Sequence, residues 1–151
     1  MAPAKKFSHL DAQGTAKMVG VGHKPVIFRR ATAIGKLLCQ AVTIRLLKKK
    51  ALPKGDVLGV ARIAGIQAVK RAADLIPLCH PLPINKIEMD FRVMARGIKI
   101  TCSVETEART GVEMEALTGV SVAALTLYDM CKAVDKTMQI SDIHVVEKIK
   151  K

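Results

Sequence analysis

The sequence predicts an α+β fold in which helices pack on one face of an antiparallel sheet. Strand-like segments occur in pairs with a short turn between them, and longer segments with helical periodicity separate the pairs. The chain has 151 residues, of which 50% are hydrophobic, so it can bury one good core. We therefore expect a single domain over residues 1–151, with about the first 14 residues loose.

Two short strands are predicted first. "AKMVGVG" and "PVIFRRATAIG" contain β-branched residues and are joined by turn-forming residues from Gly22 to Pro25, as in a hairpin. A helix is predicted from Lys36, ending in a lysine cluster and a break at Pro53 and Gly55. The lysines of that cluster are typical of a solvated face.

A second helix is predicted after this break. Asp56 is suited to cap "DVLGVARIAGIQAVKRAADLI", and the polar residues cover about half of the helix circumference. The remaining face is rich in Ala and Gly, which favours close packing against a neighbouring element.

The second half of the chain predicts a hairpin, a long helix and a last strand. "NKIEMDFRVMA" and "GIKITCSVETEA" alternate apolar and polar residues around a turn at Arg96 and Gly97. "GVEMEALTGVSVAALTLYDMCKAVDK" has an apolar stripe from Leu117 to Val134, and "QISDIHVVEKI" follows as a strand. The predicted order is β-β-α-α-β-β-α-β.

Charge and cysteine spacing restrict the class of protein. A formal charge of +12 favours partners that carry phosphates, carboxylates or an acidic surface, so nucleic acids and nucleotides are both candidates. The four cysteines include no C-x-x-C pair, which disfavours a zinc site or a redox dithiol and indicates reduced thiols. Without a secretory signal or an apolar run near the roughly 20 residues of a membrane span, we expect a cytoplasmic protein.

"LIPLCHPLPI" sets Cys79 and His80 between three prolines, which remove backbone donors and exclude a regular helix. The stretch fits either a rigid connector or a stiff loop that presents His80 to a ligand. Lys54, on a turn before a helix, fits a phosphate site or an exposed turn lysine.

Two further pairs of residues each fit both a structural and a functional interpretation. Glu113 and Glu115 suit the first turn of a helix, and they could also accept N–H donors of a guanine edge. Asp129 and Lys132 are neighbours at i, i+3, either as a surface pair or as groups beside a buried face. Arg29 and Arg30 are adjacent in a strand and are expected to point to opposite faces, so at most one faces water. An inward arginine needs an anion, and the sequence does not indicate which of the two points inward.

Two long blocks carry a resemblance to a known family. They span residues 54–84 and 109–136 without gaps and contain the segments IPLCHP, GVEMEALT and YDMCKA. In these blocks the sequence resembles the MoaC family, the cyclic pyranopterin monophosphate synthases of molybdenum cofactor biosynthesis. The N-terminal stretch and the tail after Lys136 are generic and add little.

The resemblance implies a phosphorus-oxygen lyase with a ferredoxin-like fold. Its substrate would be (8S)-3',8-cyclo-7,8-dihydroguanosine 5'-triphosphate, and its products cyclic pyranopterin monophosphate and diphosphate. It also implies a homohexamer, a trimer of dimers, with the pocket at the dimer interface. The sequence has no iron-sulfur cysteine spacing, so radical chemistry is not expected. No cofactor or metal ligand is identified, and whether Mg²⁺ accompanies the triphosphate stays open.

The resemblance also implies a role for each site residue. Lys132 and Asp129 would form the acid/base centre, and Lys54, Arg29 and Lys132 would neutralise the triphosphate. Cys79 is not expected to act as a nucleophile, since nothing in the sequence activates it. The implied catalytic residues are Lys54, Asp129 and Lys132, and the implied substrate-binding residues are Arg29, Leu78, Cys79, His80, Glu113, Met114 and Glu115.

A small basic RNA-binding α+β module is the alternative function. The charge permits it, but three Phe, one Tyr and no Trp leave little aromatic surface on which bases could stack. Affinity for RNA far above that for the cyclised nucleotide would favour this alternative. On the family interpretation we expect neither a nucleic-acid nor a membrane partner.

Overall fold

A computed structural model describes residues 8–151. Its centre is a four-stranded sheet with the spatial order β2-β3-β1-β4, in which every neighbouring pair of strands is antiparallel. The strands are β1 (Ile27–Leu38), β2 (Lys86–Met94), β3 (Gly97–Ala108) and β4 (Gln139–Lys150).

The helices connect the strands on one side of this sheet. Helix α4 packs against β1, β3 and β4, while α2 packs against β2 and against α4. The order of elements and of strands is that of a ferredoxin-like fold, so the predicted α+β class is confirmed. The helices are α1 (Ala41–Lys48), α2 (Val57–Lys70), α3 (Ala72–Leu75) and α4 (Glu113–Cys131).

The core lies between the sheet and the α2/α4 pair. Alternate residues of β3, from Ile98 to Val104, are buried, as period-2 patterning requires. A Cβ atom on Gly119 would lie 2.7 Å from Cγ2 of Val69 and 2.9 Å from Sγ of Cys102, so only glycine fits where α4 meets α2 and the sheet. The predicted close packing of the Ala- and Gly-rich helix is confirmed.

The secondary structure predicted for the first third of the chain is wrong in two places. Residues 16–22 form no strand, and only Ala16 makes an isolated bridge, to Leu10. The strand interpretation relied on local valines, but this segment is glycine-rich. The helix predicted from Lys36 begins instead at Ala41, because residues 36–38 pair with both β3 and β4. Pairing on both edges outweighs the local helical preference there.

The other elements are confirmed within a few residues, except that the helix predicted from Asp56 to the proline loop is divided at Arg71 into α2 and α3. Asp56 caps α2, its Oδ1 accepting the Gly59 amide at 3.0 Å, and the β2-β3 hairpin, α4 and β4 form where predicted. The predicted loose N-terminus falls partly on residues 1–7, outside the described residues. Between residues 8 and 17 the chain makes a turn in which the Asp11 amide donates to the Thr15 carbonyl at 2.9 Å. No helix of residues 8–151 is long and apolar enough to cross a membrane.

Candidate active site

A cavity of about 840 Å³ lies where three segments of the chain meet. The first is residues 8–24, which we call the N-terminal strap. The second is the proline loop after α3, and the third is the connection from β3 into α4. The lining residues that the sequence had indicated are Leu78, Cys79, His80, Glu113, Met114 and Glu115.

The proline loop forms one wall of this cavity and holds His80 in a fixed orientation. The Cys79 amide donates to the Ile76 carbonyl at 3.0 Å, which turns the chain directly after α3. Nε2 of His80 lies 2.8 Å from the Val19 carbonyl oxygen of the strap. Because a carbonyl only accepts, Nε2 carries the proton and donates it. In this state Nδ1 is the ring nitrogen that remains for a ligand.

Two acids in the first turn of α4 also line the cavity, in different environments. Glu115 is only 4% exposed, and burial raises the pKa of its carboxyl group. Burial is the largest single influence on Glu113 and acts in the same direction. The hydrogen bonds from Lys148 and from the backbone, together with the charges of Lys148 and Arg29, outweigh it and lower the pKa of Glu113 below its ordinary value. One carboxylate is therefore held ionised while its neighbour keeps a proton more readily, which is the division that acid/base work needs.

Arg29 stands beside the cavity and does not line it. Its Nε donates to the Ala108 carbonyl at 3.0 Å and its Nη2 to the Arg109 carbonyl at 3.2 Å, so it fixes the chain that leads into α4. Arg30 instead pairs with two carboxylates, Glu105 at 3.6 Å and Glu147 at 3.2 Å. The charge of Arg29 also helps to lower the pKa of Glu113, so a carboxylate lies near this arginine, and its implied role toward the triphosphate stays a prediction.

The three implied catalytic residues form a second cluster, which we call the Asp129 cluster. Oδ2 of Asp129 lies 2.6 Å from Nζ of Lys54, and Oδ1 lies 2.7 Å from Nζ of Lys132. The hydrogen bonds from Lys132 and then Lys54 lower the pKa of Asp129 to about 2, and the same contact raises the pKa of Lys132. At neutral pH Asp129 is therefore ionised and Lys132 protonated.

The structure does not bring the two groups together in one chain. Glu113 begins α4 and Asp129 lies in its last turn, so at a rise of 1.5 Å per residue they are separated by about 24 Å along the helix. The sequence-predicted residues thus divide into a cavity wall at the amino end of α4 and an exposed charged cluster at its carboxyl end.

Sequence reasoning missed the strap and one residue of β4. The strap adds His9, Lys17, His23 and Lys24 to the cavity, and Lys148 pairs with Glu113. The glycines at positions 14, 20 and 22 were the available signal that the strap is irregular and not a strand. Within residues 8–151, no group of three or more His, Cys, Asp or Glu side chains is placed to hold a metal ion.

Comparison with known proteins identifies the family. The model of the MoaC family matches residues 18–150. A cyclic pyranopterin monophosphate synthase of Parvibaculum lavamentivorans is 53% identical over 147 residues, which cover 96% of this chain and 92% of that protein. The synthase of Chloroflexus aggregans is 53% identical over 95% of this chain and 88% of its own length. A molybdenum cofactor biosynthesis bifunctional protein of Chlorobaculum tepidum is 52% identical over 95% of this chain and 46% of its own length. This chain belongs to the MoaC family.

Proposed function

We propose that this chain is a cyclic pyranopterin monophosphate synthase of molybdenum cofactor biosynthesis. It is a lyase that converts (8S)-3',8-cyclo-7,8-dihydroguanosine 5'-triphosphate to cyclic pyranopterin monophosphate and releases diphosphate. Family membership over residues 18–150 carries this proposal. The cavity supports it, because a purine-derived ring with N–H donors and a triphosphate need carboxylates and cations within one pocket.

The amino end of α4 is suited to hold the ring system of the substrate. Glu113, kept ionised by Lys148, accepts N–H donors of the base, and Glu115 lies beside it in a buried position. His80 presents Nδ1 once Nε2 is engaged by the strap. Leu78 and Met114, both partly exposed in the cavity, supply apolar contact for the ring.

The Asp129 cluster is suited to the chemistry of the phosphates. A cyclic monophosphate forms when a hydroxyl oxygen of the substrate attacks the α-phosphorus. The hydroxyl passes its proton to a water molecule as the new phosphorus–oxygen bond forms, while the bond from phosphorus to the departing diphosphate breaks. Lys132, kept protonated by Asp129, donates to the departing oxygen, and Lys54 adds a second cation. Mg²⁺ entering with the triphosphate would need only phosphate oxygens and water as ligands.

We further propose that two copies of the chain complete each site. A separation of about 24 Å along α4 is too long for one nucleotide to contact both clusters of the same chain. A twofold interface would place the Asp129 cluster of one copy over the cavity of another, as in the expected trimer of dimers. Exposed apolar side chains on α2 and α4, Val60, Ile63 and Leu125, are suited to pack between copies. The proposed compartment is the cytoplasm, where the four free thiols would stay reduced.

Release of diphosphate from the cyclised nucleotide tests the reaction. Purified protein should release one diphosphate per substrate, with cyclic pyranopterin monophosphate as the coupled product. GTP itself serves as the control and should give no diphosphate, since the cyclisation belongs to a different enzyme. Failure to release diphosphate from the cyclised nucleotide would refute the assignment.

Complementation between two inactive variants tests the shared site. Lys132→Ala and His80→Ala should each be inactive alone, because each lacks one half of every site. When they are co-expressed, random assembly gives a site with both halves intact in about a quarter of cases at a twofold interface. Recovery near that fraction supports the shared site. No recovery in mixed oligomers would place both clusters on one chain.

A further inference from the structure

The N-terminal strap covers the cavity while being weakly attached to the rest of the protein. In the described part of the chain, two side chains outside the strap form hydrogen bonds with it. Nε2 of His80 donates to the Val19 carbonyl at 2.8 Å, and Nε of Arg109 donates to the Gly22 carbonyl at 3.3 Å. From residue 16 to residue 25, only Val19 and Val21 are partly buried and the other residues are exposed. A segment with so few buried contacts opens at little cost in free energy.

The strap also carries cations whose charge is not compensated. Lys17 and Lys24 both line the cavity and are both exposed. Among residues 8–151 neither forms an ion pair, although eight ion pairs occur there. Glu113 and Glu115 line the same cavity, so its lining contains both cations and acids.

We propose that Lys17 and Lys24 are phosphate-binding residues and that the strap closes over the substrate when they engage its triphosphate. This inference rests on the proposed function. It identifies ligands for phosphate that the resemblance did not indicate. A triphosphate carries more negative charge than Lys54 and Lys132 neutralise, so the site needs further cations. Two lysines on an openable segment supply them without blocking entry to the cavity.

The bond between His80 and Val19 couples strap closure to the base-binding wall. While the Val19 carbonyl accepts from Nε2, the ring is oriented and Nδ1 is the nitrogen left for the substrate. Capture of phosphate by Lys17 and Lys24 stabilises the closed strap and with it this orientation of His80. Phosphate binding and base recognition are thereby linked through one segment.

A paired set of charge variants tests the proposal. The test variant is Lys17→Ala with Lys24→Ala, and its control is Lys48→Ala with Lys49→Ala, which removes the same charge from exposed positions outside the cavity. A conservative variant, Lys17→Arg with Lys24→Arg, keeps both cations. Affinity for inorganic triphosphate is measured by calorimetry at low and high salt. KM and kcat are measured from diphosphate release, and circular dichroism verifies folding.

We expect the double alanine variant to bind triphosphate about 10- to 100-fold more weakly and to raise KM by a similar factor. Its kcat should change less than its KM. The control should stay within about twofold of the wild type, and the arginine variant should recover most of the affinity.

Equal affinities of test and control variants for triphosphate would overturn the proposal, even if the wild type releases diphosphate normally. Absence of diphosphate release by the wild type would refute the proposed function instead. The triphosphate titration would still decide the role of the two lysines.

Discussion

The two ends of α4 carry the two halves of the candidate site, and they control protonation in opposite ways. At the amino end Glu115 is 4% exposed and burial raises its pKa. At the carboxyl end Asp129 is 53% exposed, and contact with Lys132 and Lys54 lowers its pKa to about 2. One end shifts the pKa of a carboxyl group by removing water and the other by adding charge.

This difference indicates which half of the candidate site a single chain can form without a second copy. The surroundings that shift Glu115 are walls of the chain's own cavity, formed by the strap, the proline loop and α4. The Asp129 cluster is open to solvent, where ion pairs are screened and contribute little. The electrostatic interactions of this cluster become strong only when another surface excludes water from it. On the proposed function, the amino end is therefore the part of the binding site that one chain forms by itself, and the carboxyl end is a charged cluster that we expect a second copy to cover.

Lys132→Arg gives the largest expected effect and tests whether the carboxyl end transfers protons or only attracts phosphate. Arginine keeps the charge and the ion pair with Asp129, but it holds its proton above about pH 12 and presents it with different geometry. We expect affinity for the cyclised nucleotide within about tenfold of the wild type and a loss of roughly 10² to 10⁴ in the chemical step. Single-turnover diphosphate release measures that step.

Lys48→Arg is the matched control for this substitution, because Lys48 is an exposed helical lysine without a described ion pair. It should turn over substrate normally. If Lys132→Arg also turns over at close to the normal rate, Lys132 is a phosphate clamp, and the proton transfers move to the amino end with Glu115 and His80.

Asp135→Ala should cause the largest loss of stability near the carboxyl end. Asp135 is 2% exposed and accepts four hydrogen bonds: the Gln40 amide at 2.8 Å, Oγ1 of Thr43 at 3.0 Å, and the Thr137 amide and hydroxyl at 2.9 and 2.8 Å. It joins the end of α4 to the start of α1. Since an unsatisfied buried donor costs about 1–3 kcal/mol, we expect a loss of about 3 kcal/mol or more in urea unfolding.

The loss should depend on pH in a definite direction. Burial acts to raise the pKa of Asp135, but the hydrogen bonds from Gln40 and Thr137 outweigh it and lower the pKa. The stabilisation is therefore present above the unfolded-state value of about 3.9 and is lost as the pH falls below it. The difference between wild type and Asp135→Ala should shrink toward pH 3. A constant difference from pH 7 to pH 3 would show that lost packing, and not the charged acceptor, accounts for the effect.

The sequence predicts the elements that have strong local signals. Helix α4 follows from its apolar stripe, the start of α2 from the Asp56 cap, and the β2-β3 hairpin from alternation around Arg96 and Gly97. Residues 36–38 have a local helical preference, but the partners that hold them in a strand lie in β3 and β4, far along the chain. Local propensity carries no information about such partners.

The same limit applies to the site. Family motifs indicated His80, Glu113 and Asp129, but not whether one chain would bring them together. Lys148 and Lys24 carry no local signal, since each acquires its role only when β4 or the strap folds beside the cavity. The opposite protonation tendencies of Glu113 and Glu115 were equally inaccessible, because they depend on which acid meets Lys148 and which is buried.

Glu115→Gln tests whether the buried carboxyl group at the amino end of α4 lowers the stability of the folded protein. The pKa of Glu115 is raised, so the folded state is penalised once the pH rises through the folded pKa and the buried group ionises. Glutamine avoids this penalty. We expect a melting temperature a few degrees higher than that of the wild type at pH 8. The difference should shrink as the pH falls and vanish toward pH 3, below the ordinary glutamate pKa of about 4.3 in the unfolded chain, where Glu115 is protonated in both states.

Activity should change in the opposite direction, because glutamine cannot hold or release a proton there. Diphosphate release should fall while the melting temperature at pH 8 rises. Glu107→Gln, at an exposed position near the end of β3, is the control and should alter neither measurement. A lower melting temperature of Glu115→Gln at pH 8 would show that the carboxylate is satisfied in the folded protein and that the burial argument fails.

Lys54→Ala should have the smallest effect on stability, and it sharpens the contrast between the two ends most directly. The ion pair of Lys54 with Asp129 is short, at 2.6 Å, but both side chains are at least 41% exposed. Exposed pairs contribute little to folding, so melting temperature and secondary structure should match the wild type within error. Diphosphate release should nevertheless collapse, because the cation is needed only when the triphosphate is bound and water is excluded. Normal turnover would remove Lys54 from the site. A marked loss of stability with activity retained would mean that the Asp129 cluster holds the fold together and that the catalytic cations lie elsewhere.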